Sequence, residues 1–170
     1  MKIKLSELEK QIGKKFKRNT SSIGIDLATK SGICIATTNE RYIDLDMSFI
    51  NFETTDEYKR YNEMVDIFEK VMPKVNVVII EDTFFGLNPK TFKLLSRFGG
   101  IIYCLAYQKD KNNSPKFICA SSARKRIGIF PANCKKPVVH QWIVDNLKIK
   151  QVNEDISDAI VLALNGLLEE

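Results

Sequence analysis

The sequence has a single histidine, His140, and no Cys-x-x-Cys pair. Zinc sites are usually built from closely spaced cysteine and histidine ligands, and disulfide frameworks need paired cysteines in an exported chain. Neither kind of site is indicated. We therefore expect reduced thiols in the core at all four cysteine positions, which are Cys34, Cys104, Cys119 and Cys134.

Long apolar runs are also missing. No stretch approaches the ~18 apolar residues that a membrane span requires, and the first segment has no secretory apolar region. Glu7 and Glu9 argue against an organelle transit peptide, which is poor in acidic residues. We expect a soluble protein that is not secreted and stays in the cytoplasm, with no membrane partner and no small-molecule cofactor.

Glycine and proline are scarce, at 8 and 5 of 170 residues, and 44% of the residues are hydrophobic. This length and composition predict one well-buried core rather than two domains. The 26 Lys and Arg residues exceed the 21 Asp and Glu residues and give a net charge of +5. The excess favours a polyanionic partner.

Residues 1–20 differ in composition from residues 21–170. Leu5, Leu8 and Ile12 recur at helical spacing and are followed by the basic run 14–18. We expect a basic N-terminal arm or short helix at 1–20, followed by one domain at 21–170. A solvated tail and an ordered arm that contacts DNA both remain open.

Apolar periodicity predicts five strands and five helices in the rest of the chain. The strands are expected over 22–27, 32–37, 42–52, 75–80 and 116–120. The helices are expected over 56–72, from Pro89 to about residue 108, from Ser121 or Ser122, over 137–147 and over 155–168.

Four acidic residues lie where apolar elements end or begin. Asp26 and Glu81 close the first and fourth predicted strands, and Asp155 and Asp158 fall in the first turn of the last helix. Four carboxylates in one place repel one another unless cations bind, and such oxygen ligands suit Mg²⁺, with Mn²⁺ as a substitute. A pair of such ions activates water and stabilises the leaving oxygen in many nucleases. Strand alternation points Asp82 away from this cluster.

Each acid also has a structural interpretation. Asp26 could accept backbone hydrogen bonds in a turn, and Asp155 could cap the last helix with Asp158 at its third position. Glu81 could face solvent at the edge of the sheet. The coincidence of four such acids in one fold order favours the metal site.

Two basic regions accompany the acids. Lys90, Lys93 and Arg97 share one face of the predicted helix that follows Glu81, where they could track a phosphate backbone or form a solvated surface. The second region contains Arg124, Lys125, Arg126, Lys135 and Lys136. These residues are expected to bind DNA, where they could neutralise charge on the reacting phosphate or hold the backbone.

The element order, a meander of three strands followed by alternating helices and parallel strands, is that of the ribonuclease H-like fold. The residues resemble the RuvC family of Holliday junction resolvases in three motifs. These are Gly24-Ile-Asp26-Leu-Ala-Thr-Lys-Ser-Gly32, Ile80-Glu81-Asp82-Thr83-Phe84 and Asp155-Ile-Ser-Asp158-Ala159. The resemblance implies an α/β fold with a five-stranded mixed sheet flanked by helices, in which strands 1–3 are antiparallel and strands 4–5 are parallel.

The resemblance also implies an activity. A homodimeric endonuclease would nick paired strands of a four-way or other branched DNA junction, with two Mg²⁺ ions per active site held by the four carboxylates. Cleavage would leave a 5′ phosphate. The lysine- and asparagine-rich composition hints at a phage or mobile-element version, which would act in the host cytoplasm.

Further roles follow from the same resemblance. Lys136 matches a catalytic lysine before the penultimate helix, whereas the second basic residue of the family has only Arg124 or Lys125 as a near counterpart. Phe84 falls at a base-stacking position, although core packing is an equal alternative. The helix from Pro89 would form the dimer interface, and Gly99-Gly100 would permit close approach of another backbone.

Three alternatives remain open on the sequence alone. A ribonuclease H would share the carboxylates but act on RNA–DNA hybrids. A non-catalytic protein could bind the junction without cleaving it. Residues 25–32 also resemble a phosphate loop of actin-like ATPases, but 170 residues leave no room for the second domain that those proteins need.

Overall fold

A six-stranded mixed sheet with helices on both faces forms the protein. The computed structural model describes residues 1–28, 30–52, 54–72, 75–83, 88–111 and 115–169. The strands are β1 (Lys2–Lys4), β2 (Ser21–Asp26), β3 (Lys30–Thr38), β4 (Tyr42–Asn51), β5 (Val77–Glu81) and β6 (Lys116–Ile118). The helices are α1 (Leu5–Ile12), α2 (Glu57–Val71), α3 (Pro89–Lys109), α4 (Ala120–Arg126), α5 (Lys136–Leu147) and α6 (Glu154–Leu167).

The strand order is β1-β4-β3-β2-β5-β6. Strands β2, β3 and β4 form the predicted antiparallel meander, and β5 and β6 continue the sheet in parallel with β2. The strand count differs from the predicted five because β1 adds to the edge of the sheet, antiparallel to β4. Its three residues are too few to show a period of two in the sequence.

The N-terminal segment is joined to the same core. Leu5 and Leu8 of α1 are 1% exposed, and Phe16 is fully buried and forms a β-bridge with Leu168. The backbone N–H of Lys17 donates to the Leu167 carbonyl at 2.7 Å. These contacts lie at the C-terminal end of α6, whose 14 residues extend about 21 Å. The basic run 14–18 is therefore ordered but lies at the opposite end of α6 from Asp155 and Asp158.

Small residues let α6 pack directly on β2 and β3. A Cβ atom on Gly24 would lie 2.2 Å from the Ala159 carbonyl oxygen, and one on Gly32 would lie 2.2 Å from the Asp155 carbonyl oxygen. A side chain at either position would push the helix away from the sheet. The two glycines thus fix the start of α6 beside the C-terminal end of β2.

The opposite face of the sheet is covered by α2 and α3. Asn88 caps α3 as predicted, because its side chain accepts a hydrogen bond from the Lys90 N–H at 2.9 Å, and Pro89 occupies the first turn. Helix α3 buries Phe98 and Ile102 against β2 and β5. Across the described part of the chain, no helix combines the length and the apolar character needed to cross a membrane.

The cysteines depart in part from the expectation of core thiols. All four are free, and Cys34 and Cys134 are buried as predicted. Cys104 and Cys119 are exposed, so the prediction of a core position was wrong for these two. Cys104 lies on the outer side of α3, and Cys119 precedes α4 at the end of β6.

Candidate active site

Asp26 and Glu81 lie side by side at the carboxyl ends of two parallel strands. Ile25 of β2 pairs with Ile80 of β5, so the next residue of each strand brings the two carboxyl groups to the same edge. Alternation places both on the face covered by α6, the face that Gly24 also lines. Asp26 is 2% exposed and Glu81 is half-buried. Asp82, by contrast, is exposed.

The N-terminal part of α6 supplies two further carboxylates, Asp155 in the first turn and Asp158 beyond it. Asn153 caps the helix, since its side-chain oxygen accepts a hydrogen bond from the Ile156 N–H at 2.8 Å. The alternative in which Asp155 is the cap is therefore wrong. Asp155 is the second helical residue and partly exposed, whereas Asp158 lies nearly one turn further in and is 3% exposed.

The Lys136 ammonium lies between these acids. Its Nζ atom is 2.7 Å from Asp26 Oδ2, 2.7 Å from Asp155 Oδ1 and 3.7 Å from Asp158 Oδ2. Lys136 is the first residue of α5, and Pro137 follows it in the first turn. The structure thus brings acids from β2 and α6 together around one cation of α5, although Asp26 lies 110 positions before Lys136 and Asp155 lies 19 positions after it.

Arg124 belongs to the same cluster. Its Nη2 atom donates to Asp158 Oδ1 at 2.9 Å and to Oδ2 at 3.2 Å, and its Nη1 atom donates to the Cys134 carbonyl at 2.7 Å. Arg124 is 8% exposed. The buried guanidinium is therefore engaged inside the protein, and the DNA contact expected of Arg124 stays a prediction.

The other residues of the second basic region remain on the surface. Lys125 and Lys135 are exposed and Arg126 is partly exposed. They lie next in sequence to Arg124 and Lys136, which contact the carboxylates. Their charges could therefore meet a phosphate backbone laid across the acids.

The electrostatics indicate an excess of negative charge. Burial, followed by the neighbouring Asp26 and Asp158 carboxyl groups, raises the pKa of Glu81 to about 9. Burial also raises the pKa of Asp158 against the opposing effect of Arg124. Burial opposes the charge of Lys136, but the surrounding carboxylates outweigh it and raise the Lys136 pKa.

The donor chemistry fits a hard divalent cation. All four acids offer carboxylate oxygens, the ligands that Mg²⁺ and Mn²⁺ prefer. Among the described residues, no three His, Cys, Asp or Glu side chains are arranged for immediate metal binding. The Lys136 Nζ atom instead lies at the position shared by Asp26 and Asp155. An ammonium held there shows that the acids can bind a cation.

The predicted basic face of α3 is present in a modified form. Lys90 and Lys93 are exposed. Arg97 is also exposed, but its guanidinium forms an ion pair with Glu57 of α2 and a hydrogen bond with the Tyr61 hydroxyl at 3.3 Å. The Arg97 guanidinium therefore already has partners on α2, whereas Lys90 and Lys93 are exposed to solvent.

Phe84 and the two adjacent glycines of α3 were also singled out in the sequence. Phe84 lies outside the described residues. A Cβ atom on Gly99 would meet the Phe117 ring at 3.0 Å, so a side chain and not a backbone approaches this glycine. A Cβ atom on Gly100 would meet nothing within 4 Å, which leaves that position open for a second molecule.

Sequence reasoning missed the link between α5 and α6. His140 Nδ1 lies 3.1 Å from Ser157 Oγ, and this hydroxyl donates to the Asn153 carbonyl at 2.9 Å. Because the hydroxyl hydrogen is used by Asn153, the His140 ring must be the donor to Ser157. The spacing of His140 four positions after Lys136, on the same helix face, was the available signal.

Comparison with known proteins supports this architecture. The structure of Thermus thermophilus RuvC matches with a TM-score of 0.68 at 15% identity, over 85% of this chain and 91% of that one. The T. thermophilus RuvC in complex with a Holliday junction substrate matches with a TM-score of 0.69 at 14% identity, over 85% and 90% of the two chains. No curated protein matches the sequence. These likenesses confirm the predicted ribonuclease H-like fold.

The family model of the crossover junction endodeoxyribonuclease RuvC matches residues 22–165. This range includes the four carboxylates, Arg124 and Lys136, and it leaves out the N-terminal segment that packs at the far end of α6. Since the match covers most of the 170 residues, the chain belongs to the RuvC family of crossover junction endodeoxyribonucleases.

Proposed function

We propose that this endonuclease depends on Mg²⁺ or Mn²⁺ and nicks paired strands of four-way DNA junctions. One observation carries the proposal: Asp26, Asp155 and Asp158 surround a single cation, Lys136 Nζ, at the edge of the sheet where Glu81 also ends. The similar T. thermophilus RuvC forms a complex with a Holliday junction substrate, which supports the choice of substrate.

Asp26, Glu81, Asp155 and Asp158 would hold the metal. Two divalent ions bound there would lower the pKa of a water molecule and neutralise charge on the scissile phosphate. The residues of the chain prepare the site for this chemistry. Burial of Asp26 and Asp158 excludes water from one side of the cluster, whereas the partly exposed Asp155 leaves the other side open to DNA.

The two basic side chains have separate roles in this proposal. Arg124 orients Asp158, since it holds both carboxylate oxygens from a buried position. Lys136 is 35% exposed and can reach a phosphate, so it would stabilise charge on the reacting group.

Surface charge on both sides of the carboxylates would guide the DNA. Lys90 and Lys93 are exposed on α3, and Lys125 and Lys135 are exposed on the α4 and α5 side. Contacts to phosphates from two sides position a nucleic acid without reading its bases. This arrangement suits a substrate that is recognised by its branched shape.

A symmetric homodimer would match a symmetric junction. Between α2 and α3 lies an open groove of about 510 Å³, lined in part by Gly100, Ile101, Cys104 and Leu105. Its remaining lining residues are Tyr61, Arg97 and Gln108. An open groove with an apolar floor can pair with its own copy about a two-fold axis. Sedimentation of the purified protein at tens of micromolar would show a dimer, and a monomer would exclude the paired nick.

Cleavage assays test the proposed function directly. We expect a labelled four-way junction to be nicked at opposed strands with Mg²⁺ or Mn²⁺, and to stay intact in EDTA. A plain duplex and an RNA–DNA hybrid serve as controls on the same protein. Cleavage of the hybrid alone would indicate a ribonuclease H, and tight binding with no cleavage in any metal would indicate a junction-binding protein.

A further inference from the structure

The two cations at the carboxylates differ in how firmly they are held. The Arg124 side chain is 10% exposed and forms hydrogen bonds with both Asp158 oxygens and with the Cys134 carbonyl. The Lys136 side chain is 35% exposed and reaches the acids only through its terminal Nζ atom. The arginine is therefore a fixed part of the site, whereas the lysine can leave it by rotation of its flexible stem.

Lys136 lies where the divalent ion is expected to bind. Its Nζ atom is at 2.7 Å from both Asp26 Oδ2 and Asp155 Oδ1, which are hydrogen-bond distances to two of the predicted ligands. A metal that binds these oxygens must take the same space. Two cations so close together also repel each other strongly.

We propose that Lys136 is a resident counter-ion that competes with the divalent metal for Asp26 and Asp155, and that a DNA phosphate draws it away. This inference rests on the proposed function for its DNA half, whereas the competition for the carboxylates does not require DNA. The lysine neutralises part of the negative charge of these acids while no substrate is bound. Its release then supplies a positive charge beside the phosphate.

The consequence is coupled binding. Without DNA, the metal must displace Lys136 from two carboxylates, which weakens metal binding. With DNA, the ammonium has a phosphate as an alternative partner, so the metal binds more tightly. Coupling between two ligands is reciprocal, and the metal must increase DNA affinity by the same factor.

A metal titration without DNA tests the competition. Calorimetry with Mn²⁺ and with Ca²⁺ would compare the wild type with Lys136→Gln and with Lys135→Gln. The second variant is a matched control, because it removes the same charge from an adjacent exposed residue. We expect Lys136→Gln to bind metal about tenfold more tightly, a factor within the usual range of coupling, and Lys135→Gln to stay within about twofold of the wild type.

Equal metal binding by the two proteins would contradict the proposed competition. Equal metal affinities of the wild type and Lys136→Gln, including an equal lack of binding, would mean that the lysine does not compete. Circular dichroism would check that each variant is folded. If Lys136→Gln does not fold, the nearly isosteric Lys136→Met replaces it in the same titration.

A second measurement tests the coupling to DNA. Junction affinity would be measured with and without Ca²⁺ for the same three proteins. The quantity compared is the factor by which Ca²⁺ tightens junction binding, since loss of the Lys135 charge lowers the affinity itself. We expect this factor to be similar in the wild type and in Lys135→Gln, and to be absent in Lys136→Gln beyond charge screening. An equal gain in all three proteins would refute the coupling. A protein that binds no junction would refute the proposed function, whereas the metal titration would still decide the competition.

Discussion

The Arg124 guanidinium holds the Asp158 carboxylate by both oxygens, at 2.9 Å and 3.2 Å from Nη2, inside the protein. Asp158 is 3% exposed, and burial raises its pKa. An acid in this position would lose its charge and its orientation without a partner. The pair therefore determines whether Asp158 can serve as an oxygen ligand.

Replacement of Arg124 should damage stability as well as cleavage. Arg124→Met removes the hydrogen bonds to the buried Asp158 carboxylate and leaves it only the Lys136 ammonium at 3.7 Å. Loss of one partner of a buried ion pair costs about 3–5 kcal/mol. Urea unfolding would measure this loss. Lys125→Met is the matched control, and we expect a change within about 0.5 kcal/mol because Lys125 is exposed. Equal effects of the two variants would mean that Arg124 has no structural role.

Loss of one acidic charge should separate cleavage from binding. We expect Asp26→Asn and Glu81→Gln to abolish junction cleavage, because each removes a carboxylate ligand of the metal. Junction affinity should persist in both variants. It should increase more in Asp26→Asn, since the raised pKa of Glu81 leaves little negative charge for Glu81→Gln to remove near pH 7. Gel-shift and cleavage assays on the same junction would measure both. Asp82→Asn removes a neighbouring exposed charge and should keep near wild-type cleavage.

The pairing of Asp26 and Glu81 was predictable because a parallel arrangement places strand ends together. A strand that ends in an acid is visible in the sequence, and so is an Asp-x-x-Asp spacing at a helix start. The cations were harder to assign. Arg124 and Lys125 are adjacent and chemically similar, and only the rotation of α4 decides that the first is buried and the second exposed.

Other features were not predicted because they depend on contacts between residues that are far apart in the chain. Strand β1 forms because Lys2–Lys4 finds the free edge of β4, and three residues carry no periodicity of their own. Gly32 appeared in the sequence only as the last residue of the first family-like motif, yet glycine is required there because the Asp155 carbonyl approaches the sheet. Such close approaches cannot be read from local spacing.

The packing of α6 on the sheet should depend on single methyl groups. Gly32→Ala would place a Cβ atom 2.2 Å from the Asp155 carbonyl oxygen, so the start of α6 must move. We expect a loss of about 3 kcal/mol or more in the free energy of unfolding, and a loss of cleavage. Gly100→Ala is the control, because its Cβ atom meets nothing and alanine favours the helix by about 1 kcal/mol. Urea unfolding would measure both variants. Equal stability of Gly32→Ala and Gly100→Ala would contradict the close packing of α6 on β3.

The attachment of the N-terminal segment should depend on pH through Glu9. The pKa of Glu9 is lowered from an ordinary value of 4.5 to about 2. The main cause is the hydrogen bond from Arg18. Burial acts in the opposite direction, and a hydrogen bond from the Phe16 N–H lowers the pKa further. A lowered pKa in the folded state stabilises the protein above the unfolded-state value, and the stabilisation disappears as the pH falls toward 2.

The corresponding variant is Glu9→Gln. We expect it to be less stable than the wild type by about 1.5–3 kcal/mol at pH 7, the usual value of hydrogen bonds to a buried charged group. The difference should shrink as the pH falls below 4.5, where the unfolded wild type takes up a proton. Glu7→Gln, at an exposed neighbour, should show no such dependence. A constant difference between pH 7 and pH 3 would exclude the ionised Glu9 as its cause.

The three basic residues of α3 should not contribute equally to DNA binding. Lys90 and Lys93 are exposed, whereas Arg97 forms an ion pair with Glu57 and a hydrogen bond with Tyr61. A phosphate must compete with Glu57 for the Arg97 guanidinium. We therefore expect Lys90→Ala and Lys93→Ala each to lower the slope of log affinity against log salt by about one unit, and Arg97→Ala to change it less. Binding of a four-way junction across a series of salt concentrations would measure the slopes.

Glu57→Gln is the decisive companion variant, because it removes the ion pair that holds Arg97 and should raise both the junction affinity and the slope. If Arg97→Ala lowers the slope as much as the lysine variants do, while Glu57→Gln changes nothing, then the ion pair with Glu57 does not restrain Arg97 in solution.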